Sequence, residues 1–168
     1  EDTLVGGNNL SVKISAEFSE SMADSPKVNI DLPVGCGSAI NGYMNQETGN
    51  GWSYLWTVPL GSACNGTATA TFSGKNLIGN AYVGTDSLVF TIDNTSPVIS
   101  ILDSSPVDVS YGDDYLDKGA TAIDEVSGDI TGSMAVTNSV NTKVLGEYEV
   151  KYNVVDTVGN AATEKTRI

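Results

Sequence analysis

The stretch Gly146-Glu147-Tyr148-Glu149-Val150-Lys151-Tyr152-Asn153-Val154-Val155 decides how this chain folds. Tyr148, Val150, Tyr152 and Val154 alternate with Glu149, Lys151 and Asn153. Successive side chains of a strand point to opposite faces, so a period of two places those four residues together on one side. A helix would scatter them around its axis. The pattern predicts a strand over residues 147–155 with one buried face and one wet face.

The same alternation recurs outward from this segment. Towards the N-terminus it predicts strands over 143–145, 134–137, 120–123, 107–111 and 98–102. Further upstream lie 87–92, 67–72 and the aromatic run Trp52-Ser53-Tyr54-Leu55-Trp56-Thr57-Val58. Beyond these, Val28-Ile30-Leu32 alternates with Asn29 and Asp31, and Leu10-Val12-Ile14-Ala16-Phe18 with Ser11, Lys13, Ser15 and Glu17. No segment sustains apolar residues at helical spacing. Short strands separated by Gly, Asn, Asp and Pro turns indicate an all-β chain built as β-sandwiches.

The boundary between two such sandwiches falls at Asp93-Asn94-Thr95-Ser96-Pro97, where Pro97 holds Ser96 in an extended conformation between two strands. An internal repeat supports the division. Asn76-Leu77-Ile78-Gly79-Asn80-Ala81 aligns with Asp156-Thr157-Val158-Gly159-Asn160-Ala161 at an offset of 80. Tandem related domains, 1–95 and 96–168, are the economical reading.

Charge and composition exclude whole classes of function. The chain has 168 residues, 8 Lys+Arg against 21 Asp+Glu, and a formal net charge of −13. Neutralising a phosphate backbone needs clustered Lys and Arg, so no nucleic-acid partner is expected. An anionic membrane surface is disfavoured for the same reason. The absence of histidine removes Ser-His-Asp and Cys-His catalysis and most zinc sites. The many acids sit in turns with no cleft signalled, so paired-carboxylate catalysis is not expected either. No apolar run is long enough to cross a membrane. A chain that opens on Glu1 and stops at Arg167-Ile168 inside a strand pattern reads as a piece of a longer polypeptide.

Residues 98–168 resemble a bacterial surface immunoglobulin-like domain related to hyalin-repeat modules. The resemblance rests on Tyr115-Leu116-Asp117-Lys118-Gly119-Ala120-Thr121-Ala122-Ile123-Asp124 and Ser127-Gly128-Asp129-Ile130-Thr131. It continues through Gly146-Glu147-Tyr148-Glu149-Val150-Lys151-Tyr152 and Asp156-Thr157-Val158-Gly159-Asn160. The first half is similar to the broader Ig-like repeats of bacterial adhesins, through Phe18-Ser19-Glu20-Ser21-Met22, residues 52–59 and 73–80, and the exit Phe90-Thr91-Ile92-Asp93-Asn94-Thr95-Ser96-Pro97. It departs from them in carrying Asn76 where relatives have Asp. The resemblance implies two tandem immunoglobulin-like β-sandwiches from an extracellular or cell-surface bacterial protein. Their partners would be neighbouring modules of the same polypeptide.

On that fold, Gly146-Glu147-Tyr148-Glu149-Val150 has the spacing of a tyrosine corner, in which the Tyr148 hydroxyl bonds a backbone group just upstream. The alternative is an ordinary core aromatic. An Ig-type winding brings Cys36 and Cys64 to the same end of the first domain, where one disulfide in an oxidising compartment is the simplest account and two free cysteines the other. The same winding gathers the loops carrying Asp124, Asp129, Asp156 and Asn160 near the linker that carries Asp93. Converging carboxylates either raise one another's pKa or recruit a cation, and oxygen-only ligands favour Ca2+. The expected Ca2+ site uses Asp124, Asp129, Asp156, the Asn160 side-chain oxygen and Asp93, and would stiffen the joint. In the competing reading Asp156 and its neighbours only cap turns. With Asn76 in place of an acid, the matching end of the first domain is expected to hold a weaker site or none.

Two further signals are open to a bland and a sharp reading. Trp52, Tyr54 and Trp56 share a strand face that packs in the core or, alternatively, stacks on a glycan or surface protein as a binding module. Asp113, Asp114 and Asp117 lack the spacing of an EF-hand loop and read as a solvated turn.

Overall fold

Strand β2 (Ser11–Glu17) pairs antiparallel with β6 (Gly51–Thr57), and this pairing shows how the aromatic stripe is used. Val12 lies opposite Trp56, Ile14 opposite Tyr54 and Ala16 opposite Trp52. Directly opposed residues share a face, so the stripe and the apolar residues of β2 form one continuous surface. Trp56, Ile14 and Trp52 are buried, and Tyr54 packs against them. The indoles are core, and the first unit offers no aromatic platform on this strand. A computed structural model describes residues 3–7 and 11–168 of the chain. The expected start of β2 at Leu10 lies outside the described residues.

The chain forms two compact units, Glu1–Asn94 and Thr95–Ile168. In the first, β2 and β6 are joined by β5 (Asn45–Gln46) in a three-stranded sheet. The facing sheet has the order β1-β8-β7-β3-β4, from β1 (Thr3–Gly6), β3 (Lys27–Asp31), β4 (Ile40–Tyr43), β7 (Gly66–Ser73) and β8 (Ser87–Asp93). β1 runs parallel to β8 and the other pairs are antiparallel. Val28 and Ile30 of β3, Ala68 and Ala70 of β7, and Phe90 and Ile92 of β8 are buried between the sheets. The Trp56 and Phe90 rings meet with centroids 5.2 Å apart, one from each sheet. Gly42 of β4 is required by this packing. A Cβ built there would lie 2.2 Å from Cε2 of Tyr54, so only glycine lets that ring lie against the strand.

The second unit places β9 (Val98–Ile101), β10 (Ala120–Asp124) and β11 (Gly128–Asp129) in one sheet, in the order β11-β10-β9. The other sheet has the order β12-β13-β14, from β12 (Ala135–Asn138), β13 (Val150–Asn153) and β14 (Lys165–Arg167). Val150, Tyr152 and Val154 are all buried, as their alternation requires, and join Ile99, Ala120 and Ala122 in the core. Two expected strands are absent. Residues 107–111 form no strand, though Val107 N–H donates to the Ile168 carbonyl. Residues 143–145 form a turn, because the Asn141 side chain accepts the Lys143 N–H and closes an Asx turn. Val144 and Leu145 are apolar yet exposed, so they mark no buried strand face. Among the described residues no helix is long and apolar enough to cross a membrane.

The Tyr148 hydroxyl donates to the Val144 carbonyl at 2.9 Å, which is the tyrosine corner. Cys36 and Cys64 are joined in a disulfide with their Cα atoms 4.4 Å apart.

Candidate functional site

Asp156 ends the run of buried residues Val150, Tyr152 and Val154, and the chain turns back immediately after it. Its Oδ1 accepts the N–H groups of Val158, Gly159 and Asn160 at 2.8–2.9 Å. Its Oδ2 accepts the Asn160 side-chain N–H at 2.7 Å. Gly159 supplies the positive φ, 98°, that the turn needs. Charge-assisted bonds of this kind are roughly twice as strong as neutral ones, so Asp156 organises the whole turn while itself buried.

Asp124 closes β10. Its Oδ1 accepts the N–H groups of Val126 at 2.9 Å and Ser127 at 2.7 Å. Its Oδ2 is buried and, among the described residues, has no hydrogen-bond partner. Asp124 and Asp156 each present a carboxylate oxygen within 4.8 Å of the other. Two full negative charges at that distance repel by roughly 3 kcal/mol at an effective dielectric of about 20. A buried carboxylate oxygen without a donor adds a cost of about 1–3 kcal/mol. The turn N–H groups offset part of this on the Oδ1 side of Asp124; nothing in the described residues does so at Oδ2.

The other expected ligands are placed differently. Asp129 is exposed and its Oδ1 accepts the Thr131 N–H at 3.0 Å; the Thr131 side chain, and with it this N–H, holds the Asp129 pKa below the usual carboxylate value. It is not among the acids that gather at Asp124 and Asp156. Asn160 directs its amide nitrogen at Asp156, so it braces the turn. Asp93 is fully buried at the end of β8 in the first unit.

The offset-80 repeat has the same backbone in the first unit with a different side chain at its head. Asn76 N–H donates to the Asn80 carbonyl as Asp156 N–H does to that of Asn160, and Gly79 matches Gly159 with φ 88°. Asn76 Oδ1 accepts the N–H groups of Ile78 and Asn80. Its Nδ2, which an aspartate lacks, donates to Glu20 at 2.6 Å. Where the second unit sets acid against acid, the first sets amide against acid.

A second buried polar cluster was missed by the sequence reading. Arg167 of β14 is 2% exposed and forms an ion pair with Asp117. Its Nη2 donates to the Leu102 and Gly119 carbonyls. The Tyr152 hydroxyl donates to Asp117 at 2.6 Å and that of Tyr115 at 3.3 Å. Burial works to raise the Asp117 pKa, but the bonds from Tyr152 and Gly119 and the charge of Arg167 outweigh it and hold the carboxyl below its usual value. Burial, together with the bond to Asp117, pushes the Tyr152 phenol up. Asp117 is therefore no solvated turn residue. The available signal was Arg167, a lone cation at an inward position of the last strand.

Residues 99–168 match the family model described as bacterial surface protein, Ig-like domain. Over these residues the second unit is similar to bacterial surface Ig-like domains. The match spans nearly all of that unit, and the paired sheets, the tyrosine corner and the Asp156 turn lie inside it. A search of curated proteins found no match to the chain.

Proposed function

We propose that the chain is a pair of non-catalytic spacer modules of an exported bacterial surface protein, stiffened by Ca2+ at the Asp124–Asp156 end of the second unit. Two observations carry the ion: Asp124 Oδ2 is a buried carboxylate oxygen without a donor, and the Asp124 and Asp156 carboxylates come within 4.8 Å of each other. A divalent cation removes the repulsion and supplies the missing partner. The donor set fits a hard cation: it is all oxygen, and the chain has no histidine, with both cysteines in a disulfide. Backbone carbonyls and water would complete the six to eight oxygens Ca2+ takes. Asp93 is proposed as a further ligand on sequence adjacency, two positions before Thr95. Tying the linker to a loop in this way removes hinge freedom. The spacer role is supported by the bacterial surface family match of the second unit, and the burial of both tryptophans speaks against their stacking on a glycan.

Calorimetric titration with Ca2+, followed by thermal unfolding, tests the reading. Extracellular Ca2+ modules bind at about 0.1–1 mM. At tenfold excess over Kd the gain is about 1.4 kcal/mol, a rise of several degrees in Tm. Asp124→Asn is expected to abolish the rise while stabilising the calcium-free protein, because it removes the repulsion without removing the turn acceptor. No heat and no change in Tm at millimolar Ca2+ would overturn the proposal.

A further inference from the structure

The disulfide ties the β3–β4 loop to the turn that holds Asn94, the residue with which the first unit ends. Cys36 sits between β3 and β4, and Cys64 closes a short 3-10 turn, Ser62–Cys64, between β6 and β7. That turn and its flanks supply three acceptors to one residue. The Asn94 N–H donates to Oδ1 of Asn65 at 2.8 Å. The Asn94 side-chain N–H donates to the carbonyls of Pro59 at 3.1 Å and Gly61 at 3.3 Å. Asn65 caps the turn, its N–H donating to the Ser62 carbonyl at 3.1 Å. Asn94 follows the last residue of β8 and is the last residue of the unit.

We infer that residues 59–65 form a clamp on the exit of the first unit, and that the Cys36–Cys64 disulfide keeps this clamp in place. The reasoning is local. A loop is held by whatever ties it to the scaffold, and residues 59–65 make no strand of their own. Anchoring Cys64 to the β3–β4 loop fixes the turn, the turn fixes Asn65, and the three bonds fix Asn94. An external dithiol reduces the S–S bond to two cysteine thiols and is itself oxidised to a disulfide; the turn is then freed, and the acceptors lose their position. Order in the outgoing chain is thus coupled to the redox state of the surroundings, independently of any ion.

Amide hydrogen exchange and 15N relaxation on the intact chain test this. On reduction, or in the Cys36→Ser/Cys64→Ser variant, the Asn94 amide is expected to exchange about tenfold faster relative to the β7–β8 ladder amides of Ala68 and Phe90. The backbone order parameters of Thr95 and Ser96 are expected to fall. Asn65→Ala, with the disulfide intact, should reproduce the faster exchange at Asn94 and leaves the fold in place should the cysteine variant lose it. An Asn94 amide that changes only in step with the ladder, or that is indifferent to Asn65→Ala, would overturn the inference.

Discussion

Arg167 and Asp117 show what one misplaced charge does. Taking one partner away leaves the other buried and unpaired, which costs about 3–5 kcal/mol. Arg167→Met is therefore expected to unfold the second unit or lower its urea midpoint severely, while leaving the first unit's transition in place. Asp117→Asn leaves the Arg167 charge buried and unpaired, so it too is destabilising, and it is informative about pH. The folded pKa of Asp117 lies below its unfolded value, so its contribution is present above the unfolded carboxylate pKa of about 3.9 and is lost as pH falls through the folded value. Urea midpoints measured from pH 6 down to 2 should fall less steeply in Asp117→Asn than in the wild type. Tyr148→Phe removes only the hydrogen bond to Val144 and is expected to cost about 0.5–1.5 kcal/mol, read in the same assay.

At the scale of strands, the fold depends on how the two sheets of each unit meet. In the first unit Tyr54 of β6 lies against β4 because Gly42 has no side chain there. Gly42→Ala places a methyl group on the ring and is expected to cost about 1–3 kcal/mol through overpacking, with part recovered in a Gly42→Ala/Tyr54→Leu double variant. The turns headed by Asn76 and Asp156 carry an amide in one and an acid in the other, and the consequence is predictable. Asn76→Asp replaces the N–H donor to Glu20 by a second carboxylate, so the first unit should lose stability without Ca2+, as followed by thermal unfolding in EDTA. Strand existence was largely legible in the alternation of residues 147–155, 120–123 and 52–58. Strand ends were not: at 143–145 a side-chain acceptor, Asn141, took the backbone N–H into a turn.

Over the whole molecule, the disulfide and the buried ion pair stabilise different units. Closing a loop of 28 residues contributes roughly 3–4 kcal/mol by restricting the unfolded chain. Reduction should lower the unfolding transition of the first unit and leave that of the second unchanged, as resolved by differential scanning calorimetry with and without a thiol reductant. What the sequence determined by itself was everything carried by period and composition. Alternation at Tyr148, Val150, Tyr152 and Val154 dictates a one-faced strand, the offset repeat at Asn76 and Asp156 dictates a shared turn, and −13 with no histidine excludes whole chemistries. Tertiary structure alone decided which polar groups meet. Asp117 and Arg167 are 50 residues apart, and Asp124 ends β10 while Asp156 lies in the turn after β13, a strand of the other sheet; Asp129, no less acidic, is taken up by Thr131. The physical reason is that a strand's face is set by its neighbours in sequence, whereas burial and pairing of a charge are set by whatever the fold brings opposite it.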